Sequence, residues 1–189
     1  MATVTVRNGI DVGALLETIE AIRSKPELAS FTFRAQTTWN EGTSSRAEIG
    51  SFLHAGVEDE TRERPFTLAG DEPPVLLGHN KGPNAVELVL AALGFCYSVG
   101  YIANAAARGI EIEEMTYELE GDIDLRHFLG ISSEARAGFS EIRAKARVTA
   151  PGASEQELKE LCAYVQDTSP VKDVLANPVP VKTTIEVVG

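Results

Sequence analysis

Cysteine is scarce in this sequence: Cys96 and Cys162 are the two among 189 residues. So small a number excludes a disulfide framework and a cysteine-based zinc site. His54, His79 and His127 stand apart without ligand spacing, so neither a metal centre nor a cofactor is expected. Basic residues are also outnumbered, 17 Lys and Arg against 28 Asp and Glu, for a formal charge of −11. That balance repels phosphate backbones and anionic bilayers, so neither nucleic acid nor membrane is an expected partner. Residues 1–10 show no basic patch followed by an apolar stretch, which leaves a reducing cytoplasm as the expected setting. There a thiol stays free and its reactivity becomes the question. Against these shortages, hydrophobic residues make up 43% and charged residues 24%, ordinary proportions for a globular chain. A chain of this length buries roughly 70% of the surface its unfolded form exposes and needs no staples.

Periodicity divides the chain. Leu15, Leu16, Ile19 and Ile22 recur at helical spacing over residues 12–23, with Asp11 placed to cap the first turn. Phe31, Phe33, Ala35, Thr37 and Trp39 alternate as a strand, and residues 46–53 return as a second one after a turn. Residues 58–64 form a charge run expected in a solvated loop or strand end, and residues 66–68 and 75–77 are expected as short strands. Residues 88–107 then carry no charge at all. A helix of that length spans about 30 Å, which is also bilayer thickness. Its six alanines, two glycines, Ser98, Asn104 and two tyrosines instead favour burial in a core or a subunit interface.

The clearest strand follows, with Met115, Tyr117, Leu119, Ile123 and Leu125 alternating with acids. Its complement alternates Ile142, Ala144, Ala146 and Val148 with Arg143, Lys145 and Arg147, predicting an antiparallel ion-pair ladder. Ser154 and Glu157 form a capping box for a helix striped by Leu158, Leu161, Cys162 and Val165. Ser169 and Pro170 read as the N-cap and first residue of a short helix, and Val181, Thr183, Ile185 and Val187 as a closing strand. The fold class is α+β, with one domain over residues 1–189.

Cys96 lies in the uncharged helix, two residues after Gly94. An acyl-transfer elbow also requires a glycine two residues after the nucleophile, where Ser98 stands instead. On composition alone, a cysteine in such a helix is a small hydrophobe. The run Gly82-Pro83-Asn84-Ala85-Val86-Glu87-Leu88-Val89-Leu90-Ala91-Ala92-Leu93-Gly94-Phe95-Cys96, however, resembles the signature of the OsmC/Ohr family, the osmotically induced and organic-hydroperoxide-resistance proteins. The resemblance continues through Ser169-Pro170-Val171 and Asn177-Pro178-Val179-Pro180-Val181. It makes residues 31–189 an OsmC-like core and residues 1–30 a helical extension. It implies antiparallel sheets around a long central helix in an intertwined homodimer. It also implies a thiol peroxidase of oxidative or osmotic stress, in which the helix cysteine becomes a sulfenic acid and a second cysteine, in a Cys-Pro-Val motif, resolves it.

Two departures follow. Ser169 occupies the resolving position and cannot form a disulfide, so a one-cysteine cycle with an external thiol reductant is expected. Cys162, two helical turns earlier, is the candidate replacement and otherwise part of an apolar stripe. Val86 stands where the peroxidase branch has a glutamate, and Glu87, one residue on, faces away from Cys96 and is expected to serve the helix start. Arg46 is the first candidate for the guanidinium that holds the thiolate, and Arg34 the second. The expected catalytic set is therefore Cys96, Arg46 and Cys162. The rival readings are a non-catalytic protein that binds a small apolar ligand in a dimer cavity, and an acyl hydrolase using Cys96 with His79.

Overall fold

The computed structural model describes residues 5–188. They form two compact units, one ending at Ala91 and the other beginning at Ala92. The first starts with a short antiparallel pair, β1 (Val6–Arg7) and β2 (Ile10–Asp11), followed by helix α1 (Val12–Ser24). Asp11 caps α1 as the sequence predicts, its carboxylate accepting from Ala14 N–H at 3.1 Å. Two three-stranded antiparallel sheets follow. One is ordered β3 (Phe31–Thr32), β6 (Phe52–His54), β7 (Val57–Asp59); the other β4 (Gln36–Glu41), β5 (Ser44–Ile49), β8 (Phe66–Gly70).

The single strands expected over residues 31–39 and 46–53 are thus each divided between the two sheets. Residues 33–35 and 50–51 carry the chain across, something an alternating pattern cannot reveal because both halves alternate. Residues 75–77 are not a strand either. Pro74 opens a 3-10 turn, Pro74–Leu76, which Leu77 ends in the left-handed conformation (φ 67°).

Asp71, at the end of β8, holds this unit's long loop. Its buried carboxylate accepts from the Thr43 hydroxyl (2.7 Å) and from the N–H groups of Glu72 (2.9 Å), His79 (3.0 Å) and Lys81 (3.1 Å). The Thr43 hydroxyl and then these backbone donors hold the carboxyl well below the usual carboxylate range, outweighing its desolvation. A depressed acid contributes stability above its unfolded value of 3.8 and loses it as pH falls through the folded value. Asp71→Ala is therefore expected to lower the melting temperature by several degrees at pH 7. In thermal melts at pH 7, 4 and 3 the gap to the parent should narrow below pH 4; a pH-independent gap would contradict the assignment.

Helix α2 (Ala85–Ala107) belongs to both units by sequence, and in the second it forms the core. It is long and apolar enough by length and composition to cross a membrane. Here Leu93, Tyr97, Tyr101 and Ala105, at i, i+4 spacing, pack with Ile110, Ala150, Leu161 and Val165. Leu161 and Val165 come from helix α3 (Glu155–Thr168), Ile110 and Ala150 flank the hairpin β9 (Glu114–Asp122) and β10 (Glu141–Thr149), and the hairpin's Met115, Tyr117, Leu119, Ile142 and Val148 pack against the cluster. Two glycines allow the close approach: a Cβ at Gly94 would lie 3.0 Å from Leu119 Cδ1, and one at Gly100 would lie 3.2 Å from Val165 Cγ1. The hairpin is the predicted ladder. Glu118 faces Lys145 and Glu120 faces Arg143 in register, and Arg147 pairs with Glu118 at 2.7 Å. Such exposed pairs are worth at most about 1 kcal/mol each, so burial of the inward residues stabilises the hairpin more than its charges do.

The Ser154–Glu157 capping box is present, and Ser169 closes α3 and caps helix α4 (Pro170–Ala176). Among the described residues beyond Ala176 there is no strand. The alternating segment that holds Val181, Ile185 and Val187 has no ladder partner, and those side chains lie exposed.

Candidate functional site

The site is built on α2, α3 and α4, all within the second unit from Ala92 onward. Its origin lies further up α2, where Asn84 N–H donates to Glu87 (2.8 Å) and Glu87 N–H donates back to Asn84 Oδ1 (2.9 Å). This reciprocal cap satisfies donors that a helix start otherwise leaves open. Glu87 is thereby a cap, as its helical phase suggests. With the start fixed, Leu93 and Tyr97 face the core, and Cys96, between them in sequence, comes to lie half-buried against the α3–α4 junction.

At that junction Cys96 Sγ lies 3.1 Å from Ser169 Oγ. The contact joins residues 73 positions apart and is short for sulfur and oxygen. Ser169 is 4% exposed. Its Oγ also accepts Lys172 N–H at 3.1 Å, which makes it the N-cap of α4. The serine expected as a cap is therefore also the polar neighbour of the thiol.

Three tyrosines pack in the neighbouring core. Tyr97 and Tyr117 rings meet at 5.5 Å, tilted by 39°, and Tyr101 donates its hydroxyl to Leu158 O at 3.1 Å. Burial, reinforced by the nearby Cys162 thiol, pushes all three phenols up. They stay neutral at physiological pH and serve the packing of the core rather than as bases.

Both cysteines are free thiols. Cys162 packs against the core cluster, and its sulfur accepts from Gln166 Nε2 at 3.2 Å. The remaining predicted residues belong to the first unit, where each has its own partner. Arg46 pairs with Glu48 on one face of β5 at 2.7 Å. Ser45 and Ala47 alternate to the other face, where with Thr37, Leu68 and Leu88 they line a cavity of about 210 Å³. Arg34 is bound by both oxygens of Glu58, at 2.8 and 2.6 Å, and His79 is tied to Asp71 through its backbone. No group of three or more His, Cys, Asp or Glu among the described residues is arranged to hold a metal ion. The feature with no individual signal in the sequence is Asp71. Its clue is the Gly-Asp-Glu-Pro-Pro run, where an acid beside a proline-rigid loop meets backbone donors.

A family model described as OsmC-like protein matches residues 78–184, more than half of the chain. An OsmC-like protein from Mycoplasma pneumoniae superposes over 78% of this chain and 89% of its own, with 20% identity and a TM-score of 0.59. The organic hydroperoxide resistance protein OsmC of Legionella pneumophila covers 76% and 88%, with 19% identity and a TM-score of 0.54. An organic hydroperoxide resistance protein of Elizabethkingia anophelis covers 78% and 89%, with 17% identity and a TM-score of 0.53. At these identities the likeness is one of fold. No curated protein matches the chain.

Proposed function

Because the chain belongs to the OsmC-like protein family, we propose that it is a thiol-dependent peroxidase that reduces organic hydroperoxides through Cys96. The observation that carries this reading is the half-buried Cys96 sulfur held 3.1 Å from a buried hydroxyl on a neighbouring helix junction. A half-buried thiol fixed against a polar hydroxyl suits attack on a peroxide oxygen. The names of the Legionella and Elizabethkingia proteins point the same way.

In the cycle, the Cys96 thiolate attacks the terminal peroxide oxygen and the O–O bond breaks. The alkoxide leaves with the bonding pair and takes a proton, giving an alcohol and a sulfenic acid on Cys96. Ser169 cannot condense with that acid. An external thiol of the reducing cytoplasm forms a mixed disulfide and releases water, and a second one restores Cys96. Arg46 and Cys162 enter as the guanidinium that steadies the thiolate and as a reserve resolving thiol.

The test is a sulfenic-acid trap applied with tert-butyl hydroperoxide, followed by peptide mass spectrometry. An adduct is expected on Cys96 in the parent, and peroxide consumption falls to background in Cys96→Ser. Absence of the adduct at millimolar peroxide overturns the reading. A second reading, binding of a small apolar ligand without turnover, is favoured by the cavity beneath Leu68 and Leu88. Under that reading Cys96→Ser keeps the ligand and loses nothing.

The proposed working form is a homodimer. Among the described residues of the first unit no hydrophobic side chain is buried. Three-stranded sheets without a covered apolar face do not hold on their own. A second copy that supplies the cover satisfies both this deficit and the architecture implied by the family.

A further inference from the structure

The peroxidase reading assigns Cys96 and leaves Ser169 as the residue that cannot resolve it; the geometry around Ser169 gives that residue a part of its own. A serine hydroxyl has one hydrogen to donate and two lone pairs. Ser169 Oγ accepts Lys172 N–H at 3.1 Å and lies 3.1 Å from Cys96 Sγ, a contact in which either atom can donate while the thiol keeps its proton. An ionised thiol has no proton and can only accept. At 4% exposure Ser169 has little water to compete for that hydrogen. Its backbone carbonyl accepts Asp173 N–H at 2.9 Å, which fixes the residue from a second side.

We propose that Ser169 is a positioning residue for Cys96, its hydroxyl donating to the sulfur so that one rotamer of the ionised thiol is held toward the incoming peroxide. The proposal rests on the peroxidase reading and deepens it. The hydroxyl that prevents disulfide formation is the same one that prepares the sulfur for attack. It is not consumed: the bond formed is S–O, the bond broken is O–O, and the proton that completes the alcohol comes from solvent.

The experiment measures alkylation of Cys96 by iodoacetamide, peptide by peptide, in the full chain. No peroxide is involved, so it reads the thiolate alone. Ser169→Ala is expected to slow alkylation about tenfold at pH 7, the effect of one charge-assisted hydrogen bond. The difference should close above about pH 10, where thiols ionise regardless. Ser169→Thr keeps both the cap and the hydroxyl and should restore the parent rate. Ser169→Gly is the decisive variant: glycine costs an N-cap only a few tenths of a kcal/mol, but it has no hydroxyl to offer the sulfur and should slow alkylation as much as Ser169→Ala.

If Ser169 were only a cap, Ser169→Gly would alkylate at the parent rate, and that result overturns the proposal. Should Ser169→Ala fail to fold, the comparison of Ser169→Gly with Ser169→Thr decides alone, since both keep the helix start capped. The two failures are distinguishable. A series with unchanged alkylation overturns the role of Ser169 even where peroxide is turned over. A missing sulfenic adduct in the parent overturns the peroxidase reading while the alkylation series still reports on the hydrogen bond.

Discussion

Ser169→Cys is expected to turn the product of peroxide treatment from a sulfenic acid into an intrachain disulfide with Cys96. The parent has two thiols, both free. One equivalent of an organic hydroperoxide should leave one titratable thiol in the parent, Cys96 being oxidised. The variant starts with three and should also end with one, because its new thiol attacks the sulfenic sulfur and expels water. The reason is proximity. The Sγ–Oγ distance is 3.1 Å, and closing it to a bond of about 2.05 Å needs a shift of roughly 1 Å. Neighbouring thiols so placed react at effective concentrations far above any diffusible reductant. Mass spectrometry under non-reducing conditions should show the cross-linked peptide pair and the loss of the trapped adduct. The substitution exchanges a good N-cap for a poor one, so the reduced variant should be less stable by about 1 kcal/mol. If the variant still accumulates a trappable sulfenic acid and keeps two thiols, the two side chains do not meet in solution and the site as described is wrong.

This contact shows where local pattern ends and tertiary structure begins. The long helix was legible over residues 88–107 because that run carries no charge, whereas its true start at Ala85 and the reciprocal Asn84–Glu87 cap emerged only from the structure. The hairpin was legible twice over, from alternation and from charges that match across the register Glu120–Arg143 and Glu118–Lys145. These signals are local or involve neighbouring elements. Cys96 and Ser169 are 73 residues apart, and no periodicity joins them. Their meeting was implied by family resemblance and by nothing in composition or spacing. The same limit explains the divided strands. Phe31 and Trp39 both lie on an alternating stretch, yet one pairs with His54's strand and the other with Ser45's. Alternation fixes which face a residue takes and is silent about which strand lies beside it. At the carboxyl end the pattern of Val181, Ile185 and Val187 is that of a strand, while among the described residues no strand pairs with it. A strand needs an edge to join, and the pattern does not state whether that edge is in the same molecule.

The unpaired segment and the bare sheets bear on the second large effect, which concerns Phe95. Leu93, Tyr97 and Tyr101 occupy the core face of α2. Phe95 and Val99 lie about half a turn away and are 76% and 65% exposed. The chain exposes 13943 Å² for a mass of 20.3 kDa. A compact monomer of that mass exposes roughly 8,800 Å², and two separate compact bodies of half the mass roughly 10,600 Å² together. Even on the second figure an excess of about 3,000 Å² per chain remains, whatever the arrangement of the two units. Obligate dimers bury totals of roughly 2,000–5,000 Å² and more, with an apolar centre, so a second copy is the right size of cover. Phe95→Asp is then expected to abolish the dimer. In a two-fold interface the change occurs twice, and each buried carboxylate without a partner costs several kcal/mol. Light scattering during size-exclusion chromatography should give the parent twice its chain mass at micromolar concentration. The variant should give the chain mass, with loss of cooperative melting, because the first unit loses its cover. A parent that runs at its chain mass, or a variant that keeps the doubled mass, would show that this face of α2 is not buried by a second copy and that its exposed apolar residues need another explanation.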